Sequence, residues 1–85
     1  MLKVSAKDRR KACDAIVDVS NELWCAMKVY PKFASPHEGA AILREEFDEL
    51  WEIVRLKPQN RSTIRMRSEA KQIAAMAIRF MVDLT

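Results

Sequence analysis

Glycine is almost missing from this sequence. One glycine and three prolines in 85 residues leave little material for β-turns and long loops, which depend on those two residue types. Cysteine is sparse as well, and Cys13 and Cys25 form no Cys-x-x-Cys pair. On one helix they would be separated by about 18 Å of rise, too far for a mutual bridge. Without a disulfide framework the chain is expected in a reducing compartment, the cytoplasm. No apolar run approaches the length of a membrane span. The start, Met1-Leu2-Lys3-Val4 followed by Lys7, Asp8, Arg9, Arg10 and Lys11, lacks the apolar core of a secretory signal. Neither sign of charge dominates. Lys and Arg number 15 against 12 Asp and Glu, a net charge of +3. That permits an anionic ligand without demanding one, and it does not favour nucleic acid. Gly-rich phosphate loops, zinc-ligand spacings and Ser/Cys nucleophile constellations are also missing.

What is present is helical. Apolar residues make up 49% and charged residues 32%, the balance of a globular protein rather than a disordered tail. The chain, residues 1–85, is one domain, and one that struggles to build a sufficient core alone. The first helix is predicted from about Ser5 to Tyr30, with an apolar stripe of Ala12, Ile16, Val19, Leu23, Met27 and Tyr30. Ser5 is its N-cap and Pro31 ends it. The second starts at an N-cap Ser35, with Pro36 at the first position and Glu38 closing a capping box. It runs to about Leu56, before Pro58. Helical phase puts Leu43, Phe47, Leu50, Trp51 and Val54 on one face, with Ile42 and Ile53 beside it. A third helix, capped by Ser62 or Asn60, reaches about Leu84 along Met66, Ile73, Met76, Phe80 and Leu84. The face Ala70, Ala74, Ala77 is small enough for close helix approach. No strand pattern or internal repeat is visible.

Three helices of roughly 30–38 Å with short connections predict an all-α, antiparallel three-helix bundle. Helix 1 carries Cys13, Val17 and Trp24 off its stripe, and helix 3 carries Ile78, Met81 and Val82 off its own. Apolar residues on two sides of a helix call for a second partner. Homo-oligomerisation, as a dimer or tetramer that completes four-helix-type packing, is the economical answer.

The densest chemistry lies in Glu45-Glu46-Phe47-Asp48-Glu49. Residues at i and i+3 of a helix stand roughly 5–6 Å apart at Cβ. Phase turns Glu46 and Glu49 inward, while Glu45, Asp48 and Glu52 look outward. Glu69 sits in the middle of the third helix's stripe, where an acid is costly unless something positive offsets it. If helices 2 and 3 are antiparallel neighbours, Glu46, Glu49 and Glu69 converge, and Gln72 joins from one turn further on. Three carboxylates and an amide oxygen suit Mg²⁺ or Mn²⁺. The competing reading makes these acids boundary residues paired with Arg79, Arg65 or Lys71.

Glu46-x-x-Glu49, followed after a gap of 19 residues by Glu69, resembles the MazG-like all-α nucleoside triphosphate pyrophosphohydrolases. Their signature is EExxE on one helix and ExxD on the next. The segments Phe33–Gly39, Glu45–Trp51 and Glu69–Met76 also look like small phage-encoded relatives, and the similarity spans roughly residues 30–84. The resemblance implies cleavage of an NTP or dNTP between the α and β phosphates, giving a monophosphate and pyrophosphate. It implies Mg²⁺, a dimer or tetramer, and attack by water on the α-phosphorus with Glu45 or Glu49 as base. The metal ligands it implies are Glu46, Glu49 and Glu69. Gln72 stands where the family has Asp, so the fourth ligand carries no charge and metal affinity is expected to fall.

Other residues fit around that reading. The resemblance also implies contacts to base and phosphate from Trp24 and Lys28, near the end of helix 1, and the arginine forks of Arg65 and Arg79 on helix 3 could hold a triphosphate. Packing is the competing role for Trp24, and solvation for the basic segment Arg61, Arg65, Arg67, Lys71 and Arg79. His37 reads as a surface residue of the first turn. The five Met are adaptable core filler. Two other function classes remain: a catalytically weakened or inactive scaffold that binds a host or phage protein, and a small nucleic-acid-binding helical protein using the basic segment.

Overall fold

The structure, a computed structural model, describes residues 1–85. Every long element is an α-helix: α1 spans Ala6–Val29, α2 Pro36–Val54 and α3 Thr63–Leu84. A single 3-10 turn, Pro58–Asn60, lies between α2 and α3. The starts follow from local chemistry. Ser5, Ser35 and Ser62 each accept from the backbone N–H three residues on, at 3.0, 3.1 and 3.1 Å, relieving one unpaired donor of each first turn. Glu38 Oε1 reaches back to the N–H of Ala34 at 3.3 Å, one residue before the N-cap that a standard capping box would serve. Arg61 Nε donates to the carbonyl of Val54 at 2.8 Å and closes the end of α2.

The all-α class holds, and α3 is the centre of the fold. Both α1 and α2 pack on it and neither packs on the other. Contacts fix the directions. Asp18, Glu22 and Ala26 of α1 meet Arg67, Gln72 and Arg79 of α3 in ascending order, so α1 and α3 run the same way. Gly39 of α2 lies against Phe80 and Leu84, while Glu46 and Glu49 lie near Glu69, so α2 runs opposite to α3.

The apolar stripes are rotated from their expected phases. On α2, Ile53 is 1% exposed, while Phe47 and Trp51 are 55% and 51% exposed. The face against α3 is Gly39, Ile42, Leu43, Glu46, Leu50 and Ile53. Gly39 explains the rotation. A Cβ there would come within 2.6 Å of Phe80 Cδ2 and 3.0 Å of Leu84 Cδ1, so the missing side chain is what lets the helices close at this point. On α1, Leu23 and Ala26 are buried while Ile16 is 64% exposed, and Met27 and Tyr30 are also exposed. The inward face there is Ala15, Val19, Glu22, Leu23 and Ala26. On α3 the most buried residues are Ala75 and Arg79. Ala70 and Ala77, expected to permit close approach, are exposed. Only six of 85 residues are buried, a core too thin for a domain of this size to rely on. Ile16, Val17 and Trp24 of α1, Phe47 and Trp51 of α2, and Met81 and Val82 of α3 are each more than half exposed.

Candidate functional site

Arg79 organises the end of the fold that bounds the site. It is 3% exposed. Its Nη1 donates to the carbonyl of Ala26 at 2.9 Å, its Nη2 to that of Tyr30 at 2.7 Å, and its Nε to Asp83 Oδ2 at 3.1 Å. The two carbonyls lie at the C-terminus of α1, where unpaired acceptors collect and a cation is favoured. The same Asp83 oxygen accepts the N–H of Phe33 at 3.0 Å, and the guanidinium lies 5.8 Å from the centre of the Phe33 ring. Asp83 Oδ1 is buried without a partner. One side chain thus ties α1, the linker to α2 and the end of α3 together. Arg79, expected as a phosphate contact, has each guanidinium nitrogen engaged inside the fold. Three of its five N–H groups are used this way, and the linear sequence does not show that residues 26, 30, 33 and 83 surround it.

Three carboxylates do meet. One oxygen each from Glu46, Glu49 and Glu69 lie within 4.8 Å of one another. Glu46 and Glu69 are half-buried and Glu49 is exposed. The pairing of α2 and α3 produces this convergence, because Glu46 and Glu49 are one turn apart on α2 and Glu69 faces them from the antiparallel α3. Burial holds the pKa of Glu46 above its ordinary 4.5, and the charges of Glu49, Glu69, Glu45 and Glu22 push the same way. Glu69 is raised first by burial, then by a hydrogen bond shared with Glu49 and by that residue's charge, while Arg65 draws it back. The chain therefore brings together more negative charge than its own cations neutralise.

Such a donor set fits a hard divalent cation. Magnesium takes oxygens at about 2.0–2.1 Å, which sets ligand oxygens around one ion about 2.9–4.1 Å apart. Glu45, the other candidate base, is exposed and outside the group of three, although its charge is felt at Glu46. Gln72 is held elsewhere: its Nε2 donates to Glu22 Oε1 on α1 at 2.6 Å.

Beside the acids a groove of about 580 Å³ runs between α1 and α2, floored by α3. Ala26, Val29, Ile42 and Met76 supply apolar walls, Tyr30 and Phe33 stand near the linker, and Glu22, Glu46 and Gln72 line the end toward the acids. The volume is that of a small-molecule site. Trp24 and Lys28 are exposed on α1 and do not line it. Arg65 lies beside Glu69. Arg67 pairs with Asp18 at 2.8 Å, both half-exposed, so Arg61 and Arg67 of the basic segment have intramolecular roles.

Glu22 is the residue that sequence reasoning missed. It is half-buried, bonded to Gln72 and close enough to affect Glu46. An acid on the inward face of α1 was the available signal, but the misplaced stripe put that face elsewhere. No helix is long and apolar enough to cross a membrane. Comparison with protein-family models, curated proteins and solved structures gives no match.

Proposed function

We propose that this chain is a divalent-metal-dependent nucleoside triphosphate pyrophosphohydrolase that works as a homo-oligomer. The observation that carries the reading is the convergence of Glu46, Glu49 and Glu69 within 4.8 Å, beside a groove large enough for a nucleoside. The resemblance of Glu46-x-x-Glu49 and Glu69 to the MazG-like signature gives the same reaction.

Glu46, Glu49 and Glu69 would hold Mg²⁺ or Mn²⁺. A cation there supplies positive charge against phosphate oxygens and lowers the pKa of water. Each protein group has a separate task. Glu46, the most enclosed of the acids on α2, fixes the base of the cluster against α3. Glu49 is exposed, and the oxygen it does not share with Glu69 would accept a proton from water attacking the α-phosphorus. Arg65, whose charge is felt at Glu69, would meet a phosphate oxygen. The apolar residues left exposed on α1, α2 and α3 are the surface for a second copy.

Pyrophosphate release from a panel of NTPs and dNTPs with Mg²⁺ or Mn²⁺ tests the reading. Release that Glu46→Gln and Glu69→Gln abolish supports it, and no release from any substrate overturns it. A second reading is favoured by one observation. Gln72 is turned to Glu22, which leaves the cluster with carboxylates alone where the family has a further acid. On that reading the chain is an inactive scaffold that binds another protein, and the same two substitutions leave partner binding intact.

A further inference from the structure

The start of α1 stands away from the rest of the fold. Every residue from Met1 to Asp14 is exposed, and the helix is first covered at Ala15. Residues 6–14 nevertheless belong to α1, so a helical arm of about 13 Å projects from the body. So short a stretch of helix is marginal in water without a packed face. The arm and the residues before it hold Lys3, Lys7, Arg9, Arg10 and Lys11 against Asp8 and Asp14. That excess equals the whole net charge of +3, and the rest of the chain is balanced. Apolar residues are uncovered there as well: Leu2 is 94% and Val4 61% exposed. Val4, Ala6 and Cys13 line a shallow recess together with Arg9 and Arg10.

On α2 the complementary face is exposed. That helix holds six acids against one cation, Arg44. Phe47 and Trp51, one turn apart, are turned away from α3, and Asp48 lies beside Trp51 at helical spacing. Glu52 is occupied by Arg55 at 3.0 Å. Asp48, Arg9 and Arg10 take part in no ion pair. The arm cannot turn back on this face of its own chain, because it continues α1, and α1 does not pack on α2. Both features lie at the same end of the bundle. Since α1 runs with α3 and α2 runs against it, the arm projects past the start of α3, where α2 ends.

We propose that the arm of a second copy docks on this face of α2, with Trp51 against the recess and Arg9 and Arg10 meeting Asp48. This rests on the homo-oligomeric reading above and names the segments that form the contact. Opposite charges steer and orient the pairing. An arginine over the Trp51 ring adds a cation–π contact, and burying the exposed apolar side chains supplies the rest. The exchange is reciprocal: each copy gives one arm and receives one, so a single two-fold axis closes the dimer.

Sedimentation equilibrium over a range of protein concentrations tests this with three full-length variants. They are Arg9→Glu/Arg10→Glu, Asp48→Arg and the combination of both. All three positions are exposed, and circular dichroism checks that the helices are kept. The wild type is expected to dimerise, and to do so more weakly as salt is added. Each charge reversal alone should weaken the dimer at least about tenfold, because like charges then face each other. The combination should recover most of that loss. A dimer unmoved by either reversal, or a combination no tighter than the reversals alone, overturns the proposal. So does a monomeric wild type, and binding of that monomer to phosphatidylserine vesicles or DNA through Arg9 and Arg10 would assign the arm to such a surface instead. A dimer indifferent to the arm removes this proposal and leaves the homo-oligomeric reading standing. Recovery by the combination without any pyrophosphate release removes the proposed activity and leaves the docking standing.

Discussion

Replacing Arg79 by Ala should be the most damaging single change outside the acidic cluster. The variant leaves Asp83 buried with one oxygen already unpartnered and the other holding only the Phe33 N–H. It also takes a donor from two carbonyls at the end of α1. Removing one partner of a buried charge pair costs about 3–5 kcal/mol, because the remaining charge stays out of water. At roughly 0.05–0.15 kcal/mol per residue, a chain of 85 residues has a stability of about 4–13 kcal/mol. The loss is a large share of that. In a domain of this size it corresponds to a fall in Tm of about 12 °C or more. Differential scanning calorimetry at fixed protein concentration measures it, with Arg67→Ala as the comparison. The Arg67–Asp18 pair is half-exposed on both sides, so its loss should cost about 1 kcal/mol at most. The double variant Arg79→Leu/Asp83→Leu removes both charges and should lose less than the sum of the single changes. If Arg79→Ala lowers Tm no more than Arg67→Ala, the clamp does not hold these segments together.

Gly39→Ala gains about 0.8–1.0 kcal/mol of helix propensity, but its Cβ meets the Phe80 ring at 2.6 Å. Overpacking of about 1–3 kcal/mol should match or exceed that gain, leaving a net destabilisation of about 0–2 kcal/mol in urea denaturation and no stabilisation. Glu46 and Glu69 hold their protons more tightly folded than unfolded. Their contribution is therefore full below pH 4.5 and lost as pH rises through the raised folded values. In metal-free buffer the Tm advantage of Glu46→Gln over wild type should widen from pH 4.5 toward neutrality, and a constant difference contradicts this. Phe47→Glu/Trp51→Glu alters side chains that are half-exposed in the monomer. It should dissociate a wild-type oligomer in sedimentation experiments while helical circular dichroism is kept.

Local chemistry was readable from the sequence wherever a few neighbouring residues decide the outcome. Ser5, Ser35 and Ser62 cap the helices because a hydroxyl three positions before an unpaired N–H needs no distant partner. Helical phase was harder to read. With apolar residues on two sides of α1 and α2, period alone did not decide which side faces α3. Phe47 and Trp51 were assigned inward over the less conspicuous Gly39 and Ile53. Glu46, Glu49 and Glu69 were still brought together, since their meeting depends on the antiparallel course of α2 and α3 and not on the stripe's exact centre. Glu22 and the true role of Arg79 were not readable, because each is defined by bonds spanning about 50 positions.

Hydrolysis of a nucleoside triphosphate in H₂¹⁸O, with Mg²⁺ and products followed by ³¹P NMR and mass spectrometry, tests the central claim most directly. Attack at the α-phosphorus predicts a nucleoside monophosphate carrying the label, with unlabelled pyrophosphate, and loss of both products in Glu46→Gln. Label in pyrophosphate, release of a diphosphate and inorganic phosphate, or no turnover with Mg²⁺ or Mn²⁺ would contradict it.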